Sequence, residues 1–167
     1  MSQREGYGRA RSQVLTGLIK GTTSTYTTTV ASETSINGKS STSLGVQTNT
    51  ATPTTDANTS AAFVAQTDNT VCAYVFGITA AGAIAVAQGP IIPTEVGVTT
   101  TAGALILRPQ FPNLPDNFCP IGYLFVRTAP DASDFTFGTS SWTATGITAS
   151  AVVELDGEMP DRPQALP

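Results

Sequence analysis

The chain has 167 residues, enough for one domain with a substantial core, because a chain of this size buries roughly 70% of the surface that it exposes when unfolded. Its 28 threonines, 21 alanines and 13 serines, set against 12 acidic and 8 basic residues, suit strands and turns better than helices. It has no histidine, which excludes the commonest general base, the commonest zinc ligand and any Ser-His or Cys-His nucleophile.

The net charge of -4 is distributed unevenly along the chain. Residues 1–40 carry a net charge of +3, and residues 128–167 carry -5, so the two ends could attract different surfaces. Four basic side chains in the first twenty residues would make few phosphate contacts, and we expect no nucleic-acid partner. No segment has the ~20 apolar residues of a membrane span, and the N-terminus has no signal-peptide core, so we expect no membrane partner either.

Residues 1–60 are predicted to form an extended N-terminal arm followed by Thr/Ser-rich peripheral strands. Met1–Arg11 is polar, basic and interrupted by glycine, so it cannot bury enough apolar area to order itself. It is either a frayed terminus or a clamp laid on a partner subunit. Val14–Lys20 fits a helical turn or an edge strand, with glycine weakening the helix, and short solvated strands are expected at Thr25–Val30 and Leu44–Thr48.

Residues 61–155 are predicted to form a compact β domain. Ala61–Gln66 and Thr70–Ile78 flank the turn pair Asp68-Asn69, and the second run is apolar on both faces, as in a central strand. A hairpin turning at Ala81-Gly82 leads to a strand with Ile84 and Val86 on one face and alanines on the other. Such an alanine face would let a second sheet or another subunit approach closely.

The second half of this domain is organised around a second central strand. Ala104–Arg108 reads as a strand, and Pro109, Pro112 and Pro115 then form an extended lead-in to the strongly apolar run Cys119–Arg127. The last strand is predicted at Ala149–Leu155, and residues 156–167 as an extended C-terminal tail. The fold class is therefore all-β, an antiparallel β-sandwich or barrel-like domain with extended N- and C-terminal arms.

Residues 128–148 form a long connection that carries three large aromatic side chains, Phe135, Phe137 and Trp142. They are either pins that fasten the connection to the sheet or an exposed contact surface. Buried pins are the preferred interpretation.

The sequence offers little for catalysis. Cys72 and Cys119 are too few for a disulfide scaffold; we expect free, buried thiols, although one bridge is possible if their strands are neighbours. Asp131 and Asp134, and the alternating Glu154, Asp156 and Glu158, fit a solvated acidic rim better than a calcium site. We therefore expect no catalytic, cofactor or metal site, and a protein that is not an enzyme.

One pattern resembles that of a known class of proteins. The segment N-F-C-P-I-G-Y-L-F-V-R-T, followed by F-T-F-G-T-S-S-W-T-A-T-G-I-T, is similar to a P-I-G-Y strand, a short loop and a G-I-T stretch found in tailed-phage virion structural proteins. The residues that match are Pro120, Ile121, Gly122, Tyr123, Phe135, Thr136, Gly138, Thr139, Gly146, Ile147 and Thr148. The hairpin at Ala80–Ala87 also resembles one found in that class, and the resemblance covers roughly residues 61–155.

The resemblance implies a virion component that acts by binding, and we prefer a capsid decoration (cement) protein of the head-fibre type. The short chain, its oppositely charged extended ends and its Ala/Thr-rich sheet favour this version. The expected partners are the major capsid protein and further copies in a trimer, with virion localisation after assembly in the host bacterial cytoplasm. The residues expected to bind the partner are Arg4, Tyr7, Arg9, Arg11, Leu15 and Lys20.

Two alternatives stay open at this point. A tail-fibre or baseplate module could contact a host-surface glycan, with Phe135, Phe137 and Trp142 as a stacking surface. A third interpretation is an all-β domain of a secreted bacterial surface protein, which the lack of a signal sequence disfavours.

Overall fold

The computed structural model describes residues 11–12, 14–36, 39–40, 44–155 and 159. These residues contain strands and no helix, so the all-β prediction is confirmed, and no helix among them could span a membrane. The terminal arms lie mostly outside the described residues. The strands are β1 (Arg11–Ser12), β2 (Ile19–Lys20), β3 (Thr25–Thr28), β4 (Thr34–Ile36), β5 (Lys39–Ser40), β6 (Gln47–Ala51), β7 (Thr70–Thr79), β8 (Ile84–Gln88), β9 (Ile92–Pro93), β10 (Phe118–Thr128), β11 (Ile147–Ala149) and β12 (Val153–Glu154).

The centre of the fold is a six-stranded sheet built on β7 and β10. These strands pair antiparallel from Phe118 opposite Thr79 to Arg127 opposite Val71. β8 and β9 pair with the other edge of β7, and β11 and β12 with the other edge of β10. Both long strands are buried on both faces, as their continuous apolar runs predict, so the two expected central strands are confirmed.

Pro120 lies inside β10, although proline lacks the N–H group that a sheet ladder needs. The register between β10 and β7 shifts between Pro120 and Gly122, which marks a β-bulge. The extra residue changes the alternation of side chains, so Ile121 shares a core cluster with Leu124 and Val126. The bulge therefore accommodates the proline and buries one more apolar side chain on this face.

Two core clusters cover the two faces of the central sheet. In β7, Cys72, Tyr74, Phe76 and Ile78 face the first core cluster, whereas Val71, Ala73 and Val75 face the second. The first cluster is closed by side chains from outside the sheet, namely Leu18, Tyr26, Phe63, Phe135, Phe137 and Trp142. The second is covered by partly buried side chains that include Leu105, Phe111 and Leu114.

The hairpin between β7 and β8 turns where it was predicted. Gly82 has a φ of +76°, a left-handed conformation that favours glycine, and the Thr79 N–H donates to the Ala83 carbonyl. Val86 and Ile84 pack in the first core cluster, whereas Ala85 packs against the second. The small alanine side chain therefore lies on the face that the chain covers with its own segment 105–114.

The N-terminal strands β2, β3 and β6 form a small sheet on the first core cluster. Val14–Lys20 supplies the edge strand β2 rather than a helical turn, and Gly17 in the left-handed region precedes it. Leu18 and Tyr26 are nearly fully buried, and Tyr26 lies 6.4 Å from Phe76 between ring centroids. This sheet thus packs on the central sheet as in a sandwich. The division of the chain at residue 61 stays a prediction.

Three predicted strands differ in the structure. Ala104–Arg108 is not a strand, because Leu105 forms only a single bridge, to Thr94, and Pro109 ends the run. Ala61–Gln66 makes only isolated bridges to Thr55 and Phe135. Ala149–Leu155 is broken into the ends of β11 and β12. Local β propensity could not decide these cases, because a strand also needs a free partner edge.

Gly138 provides a test of the loop that covers the first core cluster. It has a φ of +77°, and a Cβ added there would collide with the Pro53 carbonyl and lie 2.9 Å from Thr54 Cα. The left-handed backbone alone makes Gly138→Ala destabilising by roughly 1–3 kcal/mol, and the collision with backbone adds to this. Gly45→Ala is the matched control, because nothing lies within 4 Å of its added Cβ. Urea unfolding should separate the two variants, and equal stabilities would contradict this packing.

Candidate binding surfaces

The two thiols are structural. Both are free and completely buried, which confirms the expectation of core thiols and rules out the bridge. Cys72 pairs opposite Val126 and Cys119 opposite Ile78, so they lie far apart along the same pair of strands. Burial raises the pKa of Cys72 to about 12 and that of Cys119 to about 11. Neither thiol is suited to act as a nucleophile near neutral pH.

The acidic residues do not gather into a metal site within the described residues. Glu154 instead binds the N-terminal segment of the same chain. Its Oε1 accepts a hydrogen bond from the Leu18 backbone N–H at 2.8 Å and one from the Thr16 hydroxyl at 3.2 Å. Asp156 and Glu158 lie outside the described residues. One acidic group near the C-terminus therefore anchors the chain just where it emerges from the N-terminal arm.

The N-terminal surface, defined as Val14, Leu15, Ile19 and Lys20, lies next to this anchor. Val14, Leu15 and Ile19 are 37%, 48% and 55% exposed, and Lys20 is half-buried. β2 is an edge strand of its sheet, so no other described strand pairs with its outer edge. Of the expected partner-binding residues, Leu15 and Lys20 lie in this described segment. Arg4, Tyr7, Arg9 and the side chain of Arg11 lie outside the described part of the chain.

Phe135, Phe137 and Trp142 are only 0%, 0% and 3% exposed, respectively. The Phe137 ring lies 4.6 Å from that of Tyr74 and 5.2 Å from that of Trp142, between centroids. The Trp142 indole N–H donates to the Thr25 carbonyl at 3.3 Å, which ties the connection to β3. The pinning interpretation is confirmed. The interpretation of these rings as an exposed contact surface is wrong, because none presents a free face.

A second apolar surface was missed by the sequence analysis. In the loop 94–107, Val96, Val98, Ile106 and Leu107 are 79%, 72%, 58% and 60% exposed. Backbone hydrogen bonds from Glu95 to Ala104 and between Val98 and Thr101 hold the loop. The sequence signal for this surface was the V-G-V at 96–98 next to a run of threonines, because no strand was predicted there that could bury the two valines. Because 104–108 was predicted to be a strand, the exposure of Ile106 and Leu107 was not expected.

A cleft of about 630 Å³ lies at the β8 edge of the central sheet. The turn at 56–59, the end of β8 and the segment 110–113 form its three walls. Asp56 joins two of the walls, since its carboxylate accepts hydrogen bonds from the Thr59 N–H and hydroxyl and from the Gln88 N–H. Asn58 joins the third by donating to the Asn113 carbonyl at 2.6 Å. The cleft is therefore held open by the fold itself.

Replacing Glu154 tests the anchor. Glu154→Ala removes the acceptor of the Leu18 N–H, and a hydrogen bond to a charged group contributes about 1.5 kcal/mol at the lower end of its range, which suits this half-buried position. Hydrogen exchange at the Leu18 amide should accelerate about tenfold. Glu154→Gln keeps an acceptor oxygen, so its exchange rate at the Leu18 amide should lie between those of the unaltered protein and Glu154→Ala. Glu33→Ala, at an exposed position, should leave this rate unchanged. Unaltered protection in Glu154→Ala would contradict the anchor.

The buried thiols predict a dependence on pH. The ordinary thiol pKa is 9.0, and both folded values lie above it. The unfolded chain therefore loses these protons first, and the stability that the protonated thiols contribute is complete below pH 9 and declines as the pH rises to about 12. The free energy of unfolding should fall over this window. A thiol reagent should label the protein at pH 9 in urea but not when folded, and rapid labelling of the folded protein would contradict the assignment.

The described residues thus present three surfaces suited to binding: the N-terminal surface, the loop 94–107 and the cleft. The first adjoins the first core cluster, through Leu18, and the other two adjoin the second, through Leu105 and Phe111. Comparisons with protein-family models, with curated proteins and with solved structures found no match.

Proposed function

We propose that this protein is a virion structural protein of a tailed phage, a capsid decoration protein that binds the outer surface of the major capsid protein and stabilises the head. It acts by binding and not as an enzyme. The resemblance of residues 61–155 to phage virion proteins supports the class. The observation that carries the attachment is the exposed N-terminal surface, which is fixed to a rigid β core by Glu154.

The N-terminal surface has the properties that such attachment needs. Leu15 and Ile19 expose apolar area, Lys20 adds a positive charge to the same segment, and the Leu18 side chain holds the segment in the core. The basic residues Arg4, Arg9 and Arg11 precede this point in the sequence and would extend the contact along the capsid. Contacts of this kind are individually modest, and many copies on one particle add their effects.

The alternative was a tail-fibre or baseplate module that stacks a glycan on aromatic rings. It is no longer supported, because Phe135, Phe137 and Trp142 are buried. A trimer of this chain remains part of the proposal. The loop 94–107 offers exposed apolar area that is separate from the N-terminal surface, so contacts with the capsid and with other copies need not compete.

Attachment can be tested with a double substitution. Leu15→Asp with Ile19→Asp places charge on two exposed positions and should leave the fold intact. The affinity for cognate capsids that lack the protein should fall at least about tenfold, since burying half of each side chain contributes about 1 kcal/mol. Val46→Asp is the control, because Val46 is 57% exposed near the opposite edge of the same small sheet. Co-sedimentation with capsids measures occupancy.

A truncation tests the contribution of the basic arm. Removing residues 1–20 would take Leu18 from the core, and residues 11–12 form β1, which pairs with β4, so deletion of residues 1–10 is the sharper change. It should lower occupancy and leave the unfolding transition unchanged. Full occupancy in both the truncated chain and the double substitution would overturn the proposed attachment.

A further inference from the structure

We propose that the cleft between the turn at 56–59, the end of β8 and the segment 110–113 binds a neutral saccharide. This inference goes beyond capsid attachment and concerns a different face of the molecule. It does not use the aromatic connection at 135–142, which is buried.

The cleft is preformed. Hydrogen bonds from Asn58 to the Asn113 carbonyl and from the Gln88 N–H to Asp56 fix its walls relative to one another. The Gly89 N–H also donates to the Ala73 carbonyl of the central sheet at 2.8 Å. Pro90 and Pro112, which line it, restrict the backbone further. A ligand would therefore bind without the cost of ordering a loop.

Its free polar groups are neutral amides. Gln110 and Asn113 line the cleft, and neither side chain makes a hydrogen bond to another described residue. Each amide offers two donors and one acceptor oxygen, which matches the paired donor and acceptor character of adjacent sugar hydroxyls. The half-buried Phe111 ring stands between them in the sequence and lines the same cleft. An apolar ring next to free amides suits the C–H face and hydroxyl edge of a sugar.

The charges of the lining argue against other ligands. Asp56 is its only ionisable residue, is 6% exposed, and already accepts hydrogen bonds on both carboxylate oxygens. No lysine or arginine lines the cleft, so a phosphate or carboxylate would find no opposite charge. One occupied carboxylate does not make a cation site. A proline-rich peptide generally docks in a groove lined by several aromatic rings, and this cleft has one.

The position of the cleft is compatible with capsid attachment. Phe111 packs on the second core cluster, whereas Leu18, next to the N-terminal surface, packs on the first. These clusters lie on opposite faces of the central sheet.

The experiment uses the full-length protein and a printed array of neutral bacterial and host oligosaccharides. A saccharide that binds is then titrated in solution, followed by backbone amide chemical shifts. The expected result is saturable binding, with shifts concentrated at residues 56–59, 88–90 and 110–113. Gln110→Ala with Asn113→Ala should weaken it about tenfold, through the loss of two hydrogen bonds. Both positions are exposed, so the double variant should keep its fold.

Thr22→Ala, an exposed change in the N-terminal region, is the control and should bind as the unaltered protein does. Absence of binding on the array, shifts elsewhere on the protein, or an unchanged affinity in the double variant would overturn the proposal. Shifts of the cleft by a proline-rich peptide and not by any saccharide would also overturn it. Capsid co-sedimentation of the same double variant should be normal, so failure here and failure of capsid attachment are distinguishable.

Discussion

The antiparallel pairing of β7 with β10 is the interaction on which the rest of the structure depends. Both strands are apolar on both faces, so exposing either face to water would be costly. The remaining segments are arranged as covers for these two faces. The small N-terminal sheet and the aromatic connection close one face, and the extended segment 105–114 closes the other. This arrangement explains how a chain with short peripheral strands covers both faces of its central sheet.

A few specific polar contacts hold in place the segments that cover the central sheet. The Trp142 indole N–H donates to the Thr25 carbonyl, and Glu154 accepts from the Leu18 N–H, so distant parts of the chain hold the N-terminal segment at two points. Gln66 plays a similar part, because its amide donates to the Val126 carbonyl and accepts from the Tyr74 hydroxyl in the core. Buried polar groups of this kind stabilise a fold only when they are paired, and these are.

Different residues serve folding and the proposed binding. The core residues are buried, whereas Leu15, Ile19 and the loop 94–107 leave apolar area exposed on segments that the core holds in place. A rigid support lowers the entropy lost when such a segment binds a partner. Leu18, next to the proposed capsid contact, packs on the first core cluster, and Phe111 of the proposed saccharide cleft packs on the second, so the two contacts use different residues.

The sequence alone determined the all-β class, the two central strands, the hairpin at Ala81-Gly82 and the free buried thiols, because continuous apolar runs and turn residues act locally. It also favoured the buried state of Trp142 and its neighbours. Only the tertiary structure decided that Ala104–Arg108 is a loop, since a strand needs a free edge, and that Glu154 binds the N-terminal segment. The cleft likewise joins three segments distant in sequence, and no local pattern of residues encodes such proximity.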